Sequence, residues 1–165
     1  MRYGFVEING DFKCVHCRHI VSSDPFLSGV VNRNHCPYCL RSRHLDLHTA
    51  GDRLSACKSP MEPVGLTLKR NSNKYGKEKG GELMLIHRCT ACGKLSINRV
   101  AADDDADTLY DLFADTLSLD SQTREQLKKS GVILLGPADE GLVRARLYGW
   151  GAVTGMEPAY RGAVN

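Results

Sequence analysis

Apolar residues alternate with polar ones through the middle of the chain and take up helical spacing only beyond residue 103. Tyr3, Phe5 and Ile8, followed by Phe12, predict a short strand or extended arm that runs into Cys14. Val64 to Leu68 and Leu83 to Ile86 read as two strands, and the polar run 69–81, KRNSNKYGKEKGG, joins them into a hairpin. Ser96 to Val100 extends the same sheet. Between Val21 and Asn32, the turn formers Ser22, Ser23, Asp24-Pro25, Ser28 and Gly29 predict a loop. The period then changes. Leu109, Leu112, Phe113, Thr116 and Leu117 share one helical face, preceded by Asp103, Asp104, Asp105 and Asp107, whose charges suit a helix N-terminus. A second helix is expected from Asp120 or Ser121 to Ser130, stopped by Gly131. Val132 to Leu135 predicts a short buried strand. Val143, Ala145 and Leu147, alternating with Arg144, Arg146 and Tyr148, predict an edge strand, and the segment after Trp150 a loose tail.

The thiols change this picture most. Cys14-Val15-His16-Cys17 and Cys36-Pro37-Tyr38-Cys39 are two CxxC pairs separated by a loop, a strong zinc signal. A redox CxxC comes singly and precedes a helix in a thioredoxin-like pattern, and the presence of two paired motifs argues against that reading. Four thiolates close a tetrahedral shell, so this first site is expected to be structural. Cys57 looks like half a knuckle, and Cys89 and Cys92 form a third. These three thiols need a fourth ligand. His44, upstream of Cys57, is preferred, because a ribbon supplies its first ligand there; His87 and His48 are the alternatives. Seven thiols and one histidine divide into two four-ligand sites, which predicts two Zn2+ ions. Water in place of the histidine would leave the second site an open position at which catalysis could occur.

Charge is unevenly distributed over the 165 residues. Residues 1–100 carry 16 Lys and Arg against 8 Asp and Glu, whereas residues 101–165 carry 6 against 11. A basic metal-binding half suggests a polyanionic partner. Arg33, Arg41 and Arg43 flank the second knuckle, and Lys69, Arg70, Lys74, Lys77 and Lys79 line the hairpin tip, where Tyr75 is placed to stack on a base. The expected function is a nucleic-acid-binding module for structured RNA, associated with the ribosome or translation. One alternative is a protein-interaction adaptor that uses the acidic helices. Another is a metal-dependent phosphodiesterase or nuclease drawing on His35, His44, Asp46, Asp52, Asp104 and Asp105. No apolar run is long enough to span a membrane and the N-terminus lacks a secretory pattern, so a cytoplasmic location is expected. There, cysteines serve as metal ligands rather than disulfides.

The run RNHCPYC, preceded by FKCVHC, resembles the RNHCP-domain family, small bacterial zinc-binding domains named after that run. The similarity continues through SRHLD (Ser42 to Asp46), GDR (Gly51 to Arg53), Cys57 to Met61, GELMLIHRCTACGK (Gly81 to Lys94) and NRVAADD (Asn98 to Asp104), covering about residues 10–106. Ala50 stands where a Pro commonly precedes GDR, and Ser59 and Pro60 stand where a Gly often lies. The resemblance implies equivalents of His44 and His87 but not of His48, and implies no activity. Family members usually end near this point, so the remainder is an extension. The expected fold is therefore small α+β: a zinc-ribbon-like, metal-stapled β domain over residues 1–102, with two ribbon sites. An acidic extension of two helices and short strands follows over residues 103–165, separable from it by truncation near Asp107.

Overall fold

The computed structural model describes residues 10–69, 81–149 and 151. Tyr3, Phe5 and Ile8, the hairpin tip with Arg70, Lys74, Tyr75, Lys77 and Lys79, and the tail after Gly151 lie outside the described residues. Mixed α+β architecture is observed. A small hairpin, β1 (Phe12–Lys13) with β2 (Ile20–Val21), carries the first knuckle. The expected loop after it contains one helical turn, α1 (Pro25–Ser28), capped by the Asp24 side chain and closed by Gly29. The main sheet is antiparallel in the order β3 (Ser42–Arg43), β4 (Pro60–Lys69), β5 (Glu82–Cys89), β6 (Leu95–Arg99). The hairpin and its third strand fall where the alternation put them.

Register between β4 and β5 slips between Pro63 and Gly65. The irregularity lets a later segment come close: a Cβ on Gly65 would lie 2.5 Å from Leu134 Cδ1 and 3.0 Å from Thr116 Cγ2. Alongside, the Leu135 N–H donates to Leu66 O at 2.9 Å. Val132 to Leu135 is not a strand, contrary to expectation. Leu135 is buried and Ile133 is 68% exposed, so the segment is irregular chain that inserts a side chain into the core rather than joining a ladder.

Helices cover the sheet. The first, α2 (Ala106–Asp115), is capped by Asp105, whose carboxylate accepts from the Thr108 N–H, and buries Leu109 and Phe113. It gives way to a 3-10 turn at Thr116, which turns Leu117 out to solvent. Next, α3 (Ser121–Lys129) is capped by Asp120. The expected edge strand at 143–148 is a helix, α4 (Glu140–Tyr148). Val143 and Leu147, the outer two of the alternating apolar positions, also satisfy helical i, i+4 spacing, and Leu, Ala and Arg are good helix formers. Packing against α2 decides the matter: Tyr148 Oη donates to Asp107 at 2.7 Å, Tyr110 Oη donates to Glu140 at 2.7 Å, and the Arg144 guanidinium lies 5.3 Å from the Tyr110 ring centre.

One apolar cluster joins the two compositional halves. Leu40, Leu66, Leu83 and Leu85 pack with Leu109, Phe113, Leu135 and Val143. Ending the chain after Asp107 removes those last four. At roughly 1.5–3 kcal/mol for each buried side chain, the loss rivals a domain's whole stability. The shortened chain is expected to lose cooperative melting and bind an apolar dye. A soluble monomer with the parent's sharp thermal transition would refute this.

Candidate metal centres

Three turns of one design present the paired thiols. In each, the first cysteine's N–H donates to the carbonyl five residues on, and the N–H four residues on donates back to that cysteine's carbonyl. The bonds are Cys14 to His19 at 2.9 Å and Arg18 to Cys14 at 3.1 Å. They recur as Cys36 to Arg41 at 3.0 Å with Leu40 to Cys36 at 2.8 Å, and as Cys89 to Lys94 at 2.8 Å with Gly93 to Cys89 at 3.0 Å. The residue that closes each turn has positive φ: Arg18 at 68°, Leu40 at 56° and Gly93 at 72°. This reversal brings Sγ atoms three positions apart onto one side.

The first centre gathers Cys14, Cys17, Cys36 and Cys39. Sγ atoms of Cys14 and Cys39 are 3.6 Å apart, and those of Cys17 and Cys36 are 3.5 Å apart. Sulfurs about 2.3 Å from a tetrahedral zinc are separated by about 3.8 Å, so the spacing fits. Burial pushes the Cys36 and Cys39 thiols up. Four crowded sulfurs do not all ionise without a countercharge, and a divalent soft cation supplies it.

The second centre gathers His44, Cys57, Cys89 and Cys92, with all ligand atoms within 4.8 Å of one another. Cys57 and Cys89 Sγ are 3.7 Å apart, and His44 Nδ1 lies 3.3 Å from Cys92 Sγ. Where a second thiol would complete the Cys57 knuckle, backbone bonds hold His44 opposite: its N–H donates to Ser59 O at 2.9 Å, and the Lys58 N–H donates to His44 O at 3.2 Å. The other candidates are otherwise employed. Buried His87 has Nε2 2.6 Å from Leu40 O and Nδ1 2.8 Å from the Asn98 amide, so Nε2–H donates, Nδ1 accepts and no lone pair remains. Burial, then the neighbouring His35, pulls its pKa down to about 3. His48 is exposed on the 46–54 loop. Three thiols and one imidazole suit zinc and not a hard oxygen-seeking cation.

Arg33 requires correction. Its side chain is fully buried, with Nη1 2.7–2.8 Å from both Asp103 oxygens and Nη2 3.4 Å from Asp104. An enclosed, ion-paired guanidinium does not reach a phosphate. His35 Nε2 lies 2.8 Å from Asp104 Oδ2, which also accepts from the Ala101 N–H at 2.7 Å. The Asp103 to Asp105 run is thus not one helix terminus: Asp105 caps α2, while its two neighbours clamp Arg33 and His35. The Ala102 N–H donates to Ser28 O at 2.8 Å alongside. Arg41 and Arg43 remain near the surface, the first 3.1 Å from Glu62, the second donating to Lys58 O. Lys69 is exposed at the end of β4.

The carboxylates of the phosphodiesterase reading serve the backbone. Asp46 accepts from the N–H groups of Gly51 and Arg53. Asp52 accepts from those of Leu47, His48, Thr49 and Leu54, and these bonds, Thr49's foremost, hold its carboxyl well below the usual range. Lys94 was missed from the sequence: its ammonium donates to Leu47 O and ties the third knuckle to the 46–54 loop. Its signal was the GK that ends the knuckle.

No curated protein and no solved structure matches this chain. The model of one family, the RNHCP domain, matches residues 9–110, which takes in all eight candidate ligands and the Arg33–Asp104 clamp. With well over half of its length matched, the chain belongs to the RNHCP domain family.

Proposed function

We propose that this protein is a two-zinc module whose metals are structural, and that the surface they shape binds structured RNA, with the ribosome as the assembly and the cytoplasm as the compartment. The observation that carries this reading is the pair of complete four-donor shells. A cation with four protein donors has no open position for substrate, so function falls to the surface. Excess Lys and Arg over residues 1–100 supports a polyanion there. Among the described residues, no helix is long and apolar enough to cross a membrane.

Metal analysis is expected to return about two zinc ions per chain, as two closed shells require. Co-sedimentation with ribosomal particles is expected to weaken as salt rises. Replacing Lys74, Lys77 and Lys79 by Ala should lower the log–log slope by roughly 0.7–0.9 for each phosphate that the chain no longer neutralises. An unchanged slope removes the hairpin tip from the interface. A protein-interaction surface is the second reading, favoured by Phe26, 99% exposed, with Leu27 and Val31 also exposed. Association that survives RNase would favour it.

A further inference from the structure

The two centres differ in access. In the first, Cys36 is fully buried and Cys14 nearly so, while Cys17 and Cys39 are half-buried. In the second, Cys89 is buried, Cys57 half-buried and Cys92 exposed, at the tip of a knuckle whose Thr90 and Ala91 are exposed as well. A thiolate bound to a metal remains a nucleophile, and its oxidation is governed by access. We propose that the second centre is a site of thiol oxidation by hydroperoxides: Cys92 is oxidised first, Cys57 resolves it as a disulfide, and the metal leaves. This rests on zinc occupying that centre.

The chemistry balances with the hydroperoxide as the only oxidant. The Cys92 sulfur attacks the O–O bond; an S–O bond forms, and the leaving alkoxide or hydroxide takes a proton, giving a sulfenic acid and an alcohol or water. The Cys57 thiolate attacks that sulfur; an S–S bond forms and the departing hydroxide is protonated to water. Two thiolates lose two electrons, and the hydroperoxide gains them with two protons.

Geometry selects Cys57 over Cys89 as the resolving thiol. All ligand atoms lie within 4.8 Å, so a modest shift closes either pair. Cys89 ends β5, where its residue is paired with Met61 and its N–H donates to Lys94 O. Cys57 lies in irregular chain outside every strand, next to Lys58 with φ of 49°. Of the two, Cys57 is the thiol that no strand pairing holds. After the disulfide forms, only Cys89 and His44 remain as donors, too few for a closed zinc shell.

The test uses the full zinc-loaded chain, treated with graded hydrogen peroxide while a chromogenic chelator reports free zinc and peptide mapping reports the disulfide. About one zinc equivalent is expected to leave, together with a Cys57–Cys92 disulfide, while Cys14, Cys17, Cys36 and Cys39 stay reduced; thiol reductant with added zinc should restore the original content. Cys92→His keeps a fourth ligand and removes the exposed thiol, and release should slow at least tenfold. Zinc leaving both centres in parallel, a Cys89–Cys92 disulfide, or Cys92→His releasing metal as fast as the parent would overturn the proposal. A chain that starts with one zinc and still forms the Cys57–Cys92 disulfide would refute the second zinc and the metal release, while upholding the oxidation.

Discussion

Cys36→Ser is expected to strip the first centre of its metal and unfold the segment around it. Cys36 is fully buried, its Sγ lies 3.5 Å from that of Cys17, and its N–H closes the second knuckle on Arg41. A neutral hydroxyl is a poor substitute for a thiolate on a soft cation. Little else supports this region: its buried cluster is Cys14, Val21 and Cys36, with Phe12, Cys17 and Cys39 packed against it, and most of those are the ligands themselves. Structural zinc contributes on the order of 10 kcal/mol to such folds, more than a cluster of this size supplies. Zinc content should fall by about one per chain, as the loss of one closed shell requires. Hydrogen exchange should accelerate over residues 12–32, while β4 and β5 keep their protection. The second knuckle should be only partly released, since Leu40 remains in the main core and accepts from His87. A variant that retains two zinc ions would remove the first centre as the support of this half.

Asp104→Ala is expected to destabilise the whole chain by about 3–5 kcal/mol, the usual result of removing one partner from a buried ion pair. The Asp104 and Arg33 side chains are both fully buried, and His35 is nearly so. Without Asp104, His35 and the Ala101 N–H lose their acceptor, and Arg33 keeps Asp103 and, through Nε, the His35 carbonyl. Asp103→Ala is the comparison: that side chain is 34% exposed, so water takes up part of the loss and the effect should be smaller. Denaturant midpoints at constant slope measure both. Equal effects, or a change below about 1 kcal/mol for Asp104→Ala, would show that the clamp is replaceable by water.

The cysteines were legible because metal geometry acts locally: a knuckle is set by two thiols and one positive-φ residue within five positions. The β4–β5 hairpin was legible because its alternation runs through long strands. Arg33 was not. In sequence it is one more basic residue beside a knuckle, and its partners stand 70 and 71 positions away. No local pattern distinguishes an arginine that binds phosphate from one enclosed by carboxylates. The same holds for α4, where three alternating apolar positions serve a strand and a helix equally until Tyr110 and Asp107 supply partners on one side. His44 was reachable as one of three histidines, because Cys57 lacked a neighbouring thiol; the backbone bonds to Lys58 and Ser59 that select it are tertiary.

The order of these closures along the chain bears on how the protein is made. The first centre brings together residues 25 apart, the second residues 48 apart, and the clamp residues about 70 apart. Each spans a longer stretch than the one before and is completed further along the chain, at Cys39, Cys92 and Asp104, and the core waits for Val143. Ring closure becomes only slowly more demanding with length, so none of these steps is barred by distance. During synthesis the first centre has all of its ligands before any thiol of the second has been added. A metal ion taken up by the first centre would meet a short segment with almost no core, whereas one taken up by the second would meet a chain that already includes the β4 and β5 residues.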